Sequence, residues 1–124
     1  MPATSREITI AIVDEDKAAR QALVSQLRRH DLSVASFSCA AGFQRLRKPG
    51  VRYCVIIDVQ LSGACGFVSQ LRLAQIAETC PTIMLSSQED PISRARARNA
   101  GAVALLRKPA NEGELCRLIE KAIA

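Results

Sequence analysis

Short apolar runs alternate along this chain with segments whose apolar residues recur at helical spacing. The runs lie at residues 8–13, 33–37, 53–57, 82–85 and 103–106, and the run at 53–57 is apolar without interruption. Such a run is typical of a strand in a parallel sheet, because helices cover both faces of parallel sheets. Parallel neighbours also need a long crossover connection, which is usually a helix. The alternation therefore predicts an α/β fold.

Spacing and boundary signals indicate five intervening helices. The first and last carry apolar residues at helical intervals, and a short one is expected around Phe43 and Leu46. In the third, Phe67, Leu71 and Ala74 line one face. The fourth is bracketed by Asp90 as N-cap, Pro91 in the first turn and Gly101 at the C-cap. Asn111 and Glu114 resemble a capping box that opens the last helix.

Five strands alternating with five helices, without a linker or repeat, predict one domain over residues 1–124. Right-handed crossovers would give a doubly wound, five-stranded parallel sheet with helices on both faces. We predict the strand order 2-1-3-4-5. The chain has no Trp and only 3% aromatic residues, so its core must be built mainly from Ala, Val, Ile and Leu.

Charge and cysteine content narrow the functional classes. The net charge is +5, but the basic residues are scattered and have few aromatic neighbours, so we expect solvated helix faces and no direct nucleic-acid binding by this domain. No segment approaches the length of apolar residues needed to span a bilayer, so no membrane association is expected. The five cysteines include no C-x-x-C pair, which favours reduced thiols and a cytoplasmic location.

Polar side chains follow four of the five predicted strands directly. Asp14, Glu15 and Asp16 follow the first strand, Asp58 the third, Ser86 the fourth, and Lys108 comes just after the fifth. In an open α/β sheet, ligands bind beyond the carboxyl ends of the strands where the order reverses, which here is between the first and third strands. We therefore expect these side chains to meet at one edge of the sheet.

This set of side chains suits a cation and a phosphoryl group. Carboxylates this close repel one another, and Mg²⁺ prefers oxygen ligands while keeping several waters. Lys108 supplies a mobile positive charge for a phosphoryl oxygen, and Ser86 supplies a hydroxyl donor. A dinucleotide site is excluded because acids stand where a glycine-rich turn would be needed.

A simpler interpretation exists for each residue taken singly. Asp14, Asp16 and Asp58 could all be helix N-caps, and Ser86 or Lys108 could be ordinary loop residues. The joint arrangement at four strand ends favours a functional site.

The residues that carry this pattern also resemble a known family. Ile-Val-Asp14-Glu15-Asp16, Val-Ile-Ile-Asp58-Val, Met-Leu-Ser86-Ser87 and Arg107-Lys108-Pro109, in this order, are similar to the motifs of response-regulator receiver domains of two-component systems. The similarity is to receivers that precede helix-turn-helix output domains, and it covers essentially the whole chain. It implies the flavodoxin-like version of the fold predicted above.

The resemblance also implies roles for individual residues. Asp58 would accept a phosphoryl group from a sensor histidine kinase or a phosphotransfer protein, with Mg²⁺ held by Asp14, Glu15, Asp58 and the backbone carbonyl of Gln60. Ser86 would sense the phosphoryl group and Lys108 would pair with it. The domain would be a signalling module limited to self-phosphorylation and autodephosphorylation, not an enzyme.

Further implied features surround the site. Pro109 would follow a cis peptide bond, and Gln60 and Gln88 would lie at the pocket mouth. Ser86 and residue 105 would form the switch, and the 91–106 surface would contact an output domain or a second copy.

Four residues depart from the family pattern. Leu105 stands where a Tyr or Phe is usual, Ser62 replaces a Pro, Cys65 replaces an Asp and Ala110 replaces a Phe. An alternative is therefore a receiver-like interaction domain that does not switch. A small Mg²⁺-dependent phosphatase using Asp58 as nucleophile is a third hypothesis, although Gln60 stands where a second acid would be needed.

Overall fold

The computed structural model describes residues 8–58, 66–87 and 91–124, with only the backbone for residues 66–70. Its strands are β1 Ile8–Val13, β2 Ser33–Phe37, β3 Arg52–Asp58, β4 Thr82–Ser86 and β5 Ala104–Arg107. Its helices are α1 Lys17–Arg28, α2 Ala40–Leu46, α3 Gly66–Thr79, α4 Pro91–Ala100 and α5 Glu112–Ile123. The strands form one parallel sheet in the order β2-β1-β3-β4-β5, which confirms the predicted topology.

Side chains of alternate residues along each strand pack into two separate hydrophobic cores, one on each face of the sheet. On one face Ile10, Ile56 and Ile83 pack with Leu27 of α1 and Leu115 of α5. The other face packs against α2, α3 and α4 and is built from these residues: Ala11, Val13, Val55, Ile57, Met84, Phe43, Leu73, Ile76, Ala97 and Ala100. Burial on both faces explains why the central strands are continuously apolar. In the described part of the chain, no helix is long and apolar enough to cross a membrane.

Two local predictions differ from the structure. The fifth strand begins at Ala104, one residue later than predicted. Val103 lies before the paired residues and is 56% exposed, although its amide donates a hydrogen bond to the carbonyl of Thr82. The apolar face predicted for α3 through Leu71 is not the one that packs, because Leu71 is exposed whereas Leu73 and Ile76 are buried. The side chain of Phe67, on the same predicted face, lies outside the described residues. Apolar residues surround this helix on several sides, so spacing alone did not identify the face that packs.

The predicted helix boundaries are largely confirmed. The Asn111 side chain accepts a hydrogen bond from the amide of Glu114 at the start of α5. Gly101 has a φ of +91° directly after α4, the left-handed conformation that favours glycine at this position. The proposed cap Asp90 lies outside the described residues.

Candidate functional site

Strand pairing brings the polar strand ends to one edge of the sheet. β1 ends at Val13, which is paired with Ile57, so Asp14 and Asp58 are the next residues on adjacent parallel strands. Ser86 is the last residue of β4, and its carbonyl accepts a hydrogen bond of 2.8 Å from the amide of Lys108, just after β5. Four strand ends therefore converge through backbone geometry alone.

The Lys108 ammonium bridges the two aspartates. Nζ donates to Oδ2 of Asp14 at 2.8 Å and to Oδ2 of Asp58 at 3.0 Å. The side chain of Asp14 is 3% exposed, that of Asp58 14% and that of Lys108 21%. The cluster is thus open to water mainly on the side of Lys108 and Asp58.

The ionisation of Lys108 follows from these contacts. Partial burial by itself would lower the pKa of Lys108, but the hydrogen bonds to Asp14 and Asp58 and their negative charges raise the pKa above its ordinary value of 10.5. The raised pKa keeps the amine protonated at neutral pH, so the site holds one firm positive charge between two carboxyl groups.

Asp14 is held in place from several sides. Its Oδ1 accepts from the amide of Asp16 at 2.9 Å, and its own amide donates to the carbonyl of Phe37. Arg20 donates from Nη1 to the carbonyl of Asp14 at 2.7 Å. The sequence analysis placed the scattered basic residues, of which Arg20 is one, on solvated helix faces. The position of Arg20 one turn after the N-cap is the signal that could have indicated this contact.

The helix-cap interpretation applies to one of the three aspartates. Asp16 is the N-cap of α1, and its side chain accepts from the amides of Ala18 and Ala19. Asp14 precedes that cap, and Asp58 lies eight positions before Gly66, where α3 begins. Capping therefore does not account for Asp14 or Asp58.

The donor set fits a hard divalent cation that binds few protein ligands. Across residues 8–58, 66–87 and 91–124, no three acidic, His or Cys side chains form a ready-made metal cluster. Mg²⁺ usually takes only one or two carboxylates and keeps several waters, so the carboxylates of Asp14 and Asp58, which share the Lys108 ammonium, are compatible with such an ion. Glu15 is exposed next to Asp14, while Gln60 lies outside the described residues.

Ser86 points into the interior toward α4. Its Oγ donates to Oγ of Ser93 at 3.3 Å, and both serines are buried. Ser93 was not identified from the sequence, because its approach depends on how α4 packs against β4.

The other predicted positions are distributed around this edge. The Lys108–Pro109 peptide bond is cis. Leu105 is partly buried against the core beneath α4, and Ala110 packs against the core beneath α1 and α5. Ser62, Cys65 and Gln88 lie outside the described residues, so their predicted surroundings stay predictions.

Comparison with known proteins gives a consistent result. Residues 10–120 match the response regulator receiver domain family. Response regulator protein TodT of Pseudomonas putida is 34% identical over 120 residues, which are 97% of this chain and 53% of TodT. Transcriptional regulatory protein FixJ of Bradyrhizobium diazoefficiens is 30% identical over 115 residues, covering 92% of this chain and 56% of FixJ. The chain therefore spans about half the length of these relatives.

A solved structure of the response regulator StyR is also similar. It superposes with a TM-score of 0.78 at 31% identity, covering 94% of this chain and 59% of StyR.

Proposed function

This chain belongs to the response regulator receiver domain family, and on that premise we propose that Asp58 accepts a phosphoryl group in a Mg²⁺-dependent reaction. The donor would be a sensor histidine kinase or a phosphotransfer protein. The family consists of signalling domains, so we infer no chemistry beyond self-phosphorylation and autodephosphorylation. A cytoplasmic location remains part of the proposal.

The observation that carries the proposal is the Lys108 bridge between Asp58 and Asp14. An ammonium within 3.0 Å of Oδ2 of Asp58 lies where negative charge would gather on a transferred phosphoryl group. It can exchange that carboxylate oxygen for a phosphoryl oxygen by a small side-chain movement, because a lysine ammonium sits on a flexible stem.

The reaction needs no general base at Asp58. An ionised carboxylate oxygen attacks phosphorus, the bond between phosphorus and the donor's imidazole nitrogen breaks, and the nitrogen keeps the electron pair and is protonated from water. The product is an acyl phosphate on Asp58. Lys108 then pairs with the phosphoryl oxygens, and Asp14 stays fixed by Asp16, Phe37 and Arg20.

Asp14, Glu15, Asp58 and the backbone carbonyl of Gln60 are the groups that we propose to hold Mg²⁺. The ion, when bound, would offset the charge of the carboxylates and of the incoming phosphoryl group. Asp14 is suited to this because it is nearly buried and its orientation is set by backbone hydrogen bonds.

The proposal also includes transmission of the phosphorylation state of Asp58 to a partner through the 91–106 surface. Ser86 would turn toward the phosphoryl group and shift α4, which would bias an output domain or a second copy. Leu105 favours a second candidate, a receiver-like interaction domain with impaired switching. An aliphatic side chain at that position cannot exchange a buried ring for an exposed one.

Phosphate-affinity electrophoresis with acetyl phosphate tests the phosphoacceptor. We expect a shifted band that requires Mg²⁺ and is absent in Asp58→Ala. Asp31→Asn is a matched control, because Asp31 is exposed and has a φ of +64°, a conformation that Asn tolerates. An equal shift in wild type and Asp58→Ala, or no shift with Mg²⁺ present, would contradict the proposal.

A further inference from the structure

We propose that Ser93 is a positioning residue that holds the hydroxyl proton of Ser86 away from the phosphoryl site and transmits its release to α4. The inference rests on the proposed function, since it concerns how Ser86 responds to a group on Asp58. It gives the switch a route that does not depend on a ring at position 105.

Through Ser93, helix α4 makes a direct side-chain contact with Ser86. Ser86 is 1% exposed at the end of β4, and Ser93 is 2% exposed in the first turn of α4. Ser86 donates to Ser93 across 3.3 Å. The backbone of Ser86 is held by the amide of Lys108, so its response to a ligand is a turn of the side chain.

One hydroxyl proton cannot serve two acceptors equally. A serine hydroxyl has a single donor hydrogen, and phosphoryl oxygens on an acyl phosphate only accept hydrogen bonds. If Ser86 donates to the phosphoryl group, its hydrogen bond to Ser93 must break or reverse direction. If the bond breaks, the buried hydroxyl of Ser93 loses a partner, which is costly; if it reverses, Ser93 must donate to Ser86 instead of accepting from it. In either case the hydrogen bonding of a buried hydroxyl at the start of α4 changes.

This mechanism assigns opposite effects to the two states. In the resting state Ser93 competes with the phosphoryl group for the Ser86 proton, which weakens binding of the ligand. In the phosphorylated state the altered hydrogen bonding of Ser93 displaces the start of α4. Removing the Ser93 hydroxyl should therefore strengthen ligand binding and at the same time remove the response of the helix.

Beryllofluoride with Mg²⁺ is the probe, because it mimics a phosphoryl group on a carboxylate. Its affinity is measured by amide NMR titration, and the response of residues 91–100 by hydrogen exchange with and without the probe. The variants are Ser93→Ala and the conservative Ser93→Thr, which keeps a hydroxyl. Thr82→Val is the matched control, because Thr82 is a buried hydroxyl at the opposite end of β4 that donates to the Cys80 carbonyl.

We expect Ser93→Ala to bind beryllofluoride about 2- to 10-fold more tightly, the range of one released hydrogen bond, and to lose the protection change in α4. Ser93→Thr should restore the response, and Thr82→Val should match wild type in both measurements. A merely structural defect would weaken binding and response together, so that result refutes the inference, as does wild-type behaviour of Ser93→Ala. Failure of wild type itself to bind the probe would instead refute the proposed function.

Discussion

Replacing Lys108 with Met should destabilise the protein more than any ordinary surface lysine does. The variant keeps most of the side-chain volume but leaves Asp14 and Asp58 facing each other without the ammonium that contacts both. Removing one partner of a fully buried ion pair costs about 3–5 kcal/mol. Asp58 and the lysine are partly exposed, so we expect a loss of about 2–4 kcal/mol in the free energy of unfolding.

Urea denaturation followed by circular dichroism at neutral pH, with EDTA present, measures this loss. Lys121→Met is the matched control, because Lys121 is exposed in the last turn of α5 and should change stability by no more than about 0.5 kcal/mol. Added Mg²⁺ should return part of the lost stability to Lys108→Met, since a bound cation replaces the missing charge. At 100 times its dissociation constant, that gain would be about 2.7 kcal/mol.

The origin of the loss is tested by a thermodynamic cycle and by pH. With Asp14 and Asp58 both changed to Asn, Lys108→Met should cost at least about 1 kcal/mol less than in wild type. Because the folded-state pKa of Lys108 is raised, its contribution is complete below pH 10.5 and is lost as pH rises through the folded value. The difference in the free energy of unfolding between wild type and Lys108→Met should therefore decrease above pH 10.5. A cost no greater than that of Lys121→Met, or one unchanged by the Asn substitutions, would refute the reasoning.

Three further predictions concern the fold. Burial raises the pKa of Cys54 to about 12, so between pH 9 and 10.5 the free energy of unfolding of wild type should fall more steeply with pH than that of Cys54→Val, by up to about 1.4 kcal/mol per pH unit. Urea titrations at stepped pH measure both slopes, and parallel slopes would contradict this. Asp16→Ala should cost about 1 kcal/mol through loss of the α1 cap, while Asp16→Asn should cost much less in the same assay, and equal losses would argue against capping. Leu73→Ala should lower the free energy of unfolding by about 2–4 kcal/mol and Leu71→Ala by less than about 1 kcal/mol; the reverse order would show that α3 packs through another face.

Much of the fold and part of the site could be predicted because the relevant signals are local. The run that precedes Asp58 is apolar throughout because helices cover both faces of its strand. Burial on both faces makes consecutive residues apolar, and this pattern is visible in the sequence. Asn111 and Gly101 mark helix ends through hydrogen bonding and backbone conformation within a few positions. Parallel pairing then requires the strand ends to share one edge, which is why Asp14, Asp58, Ser86 and Lys108 could be grouped from the sequence.

The remaining features depend on how separate elements pack, and no local pattern contains that information. The buried face of α3 did not follow from the spacing, because apolar residues lie on several sides of this helix and the elements packed against it select the buried side. Ser93 was missed for a related reason, because it meets Ser86 only once α4 lies on β4. Arg20 is a different case: its contact with the Asp14 carbonyl is local, and its position one turn after the α1 N-cap was a signal that the prediction did not use. The sequence alone determined the alternation of strands and helices and which polar residues lie at the strand ends, because the apolar runs stop at those residues. The tertiary structure decided which hydrogen bonds those residues make, because such bonds depend on distances of a few tenths of an ångström between elements far apart in the chain.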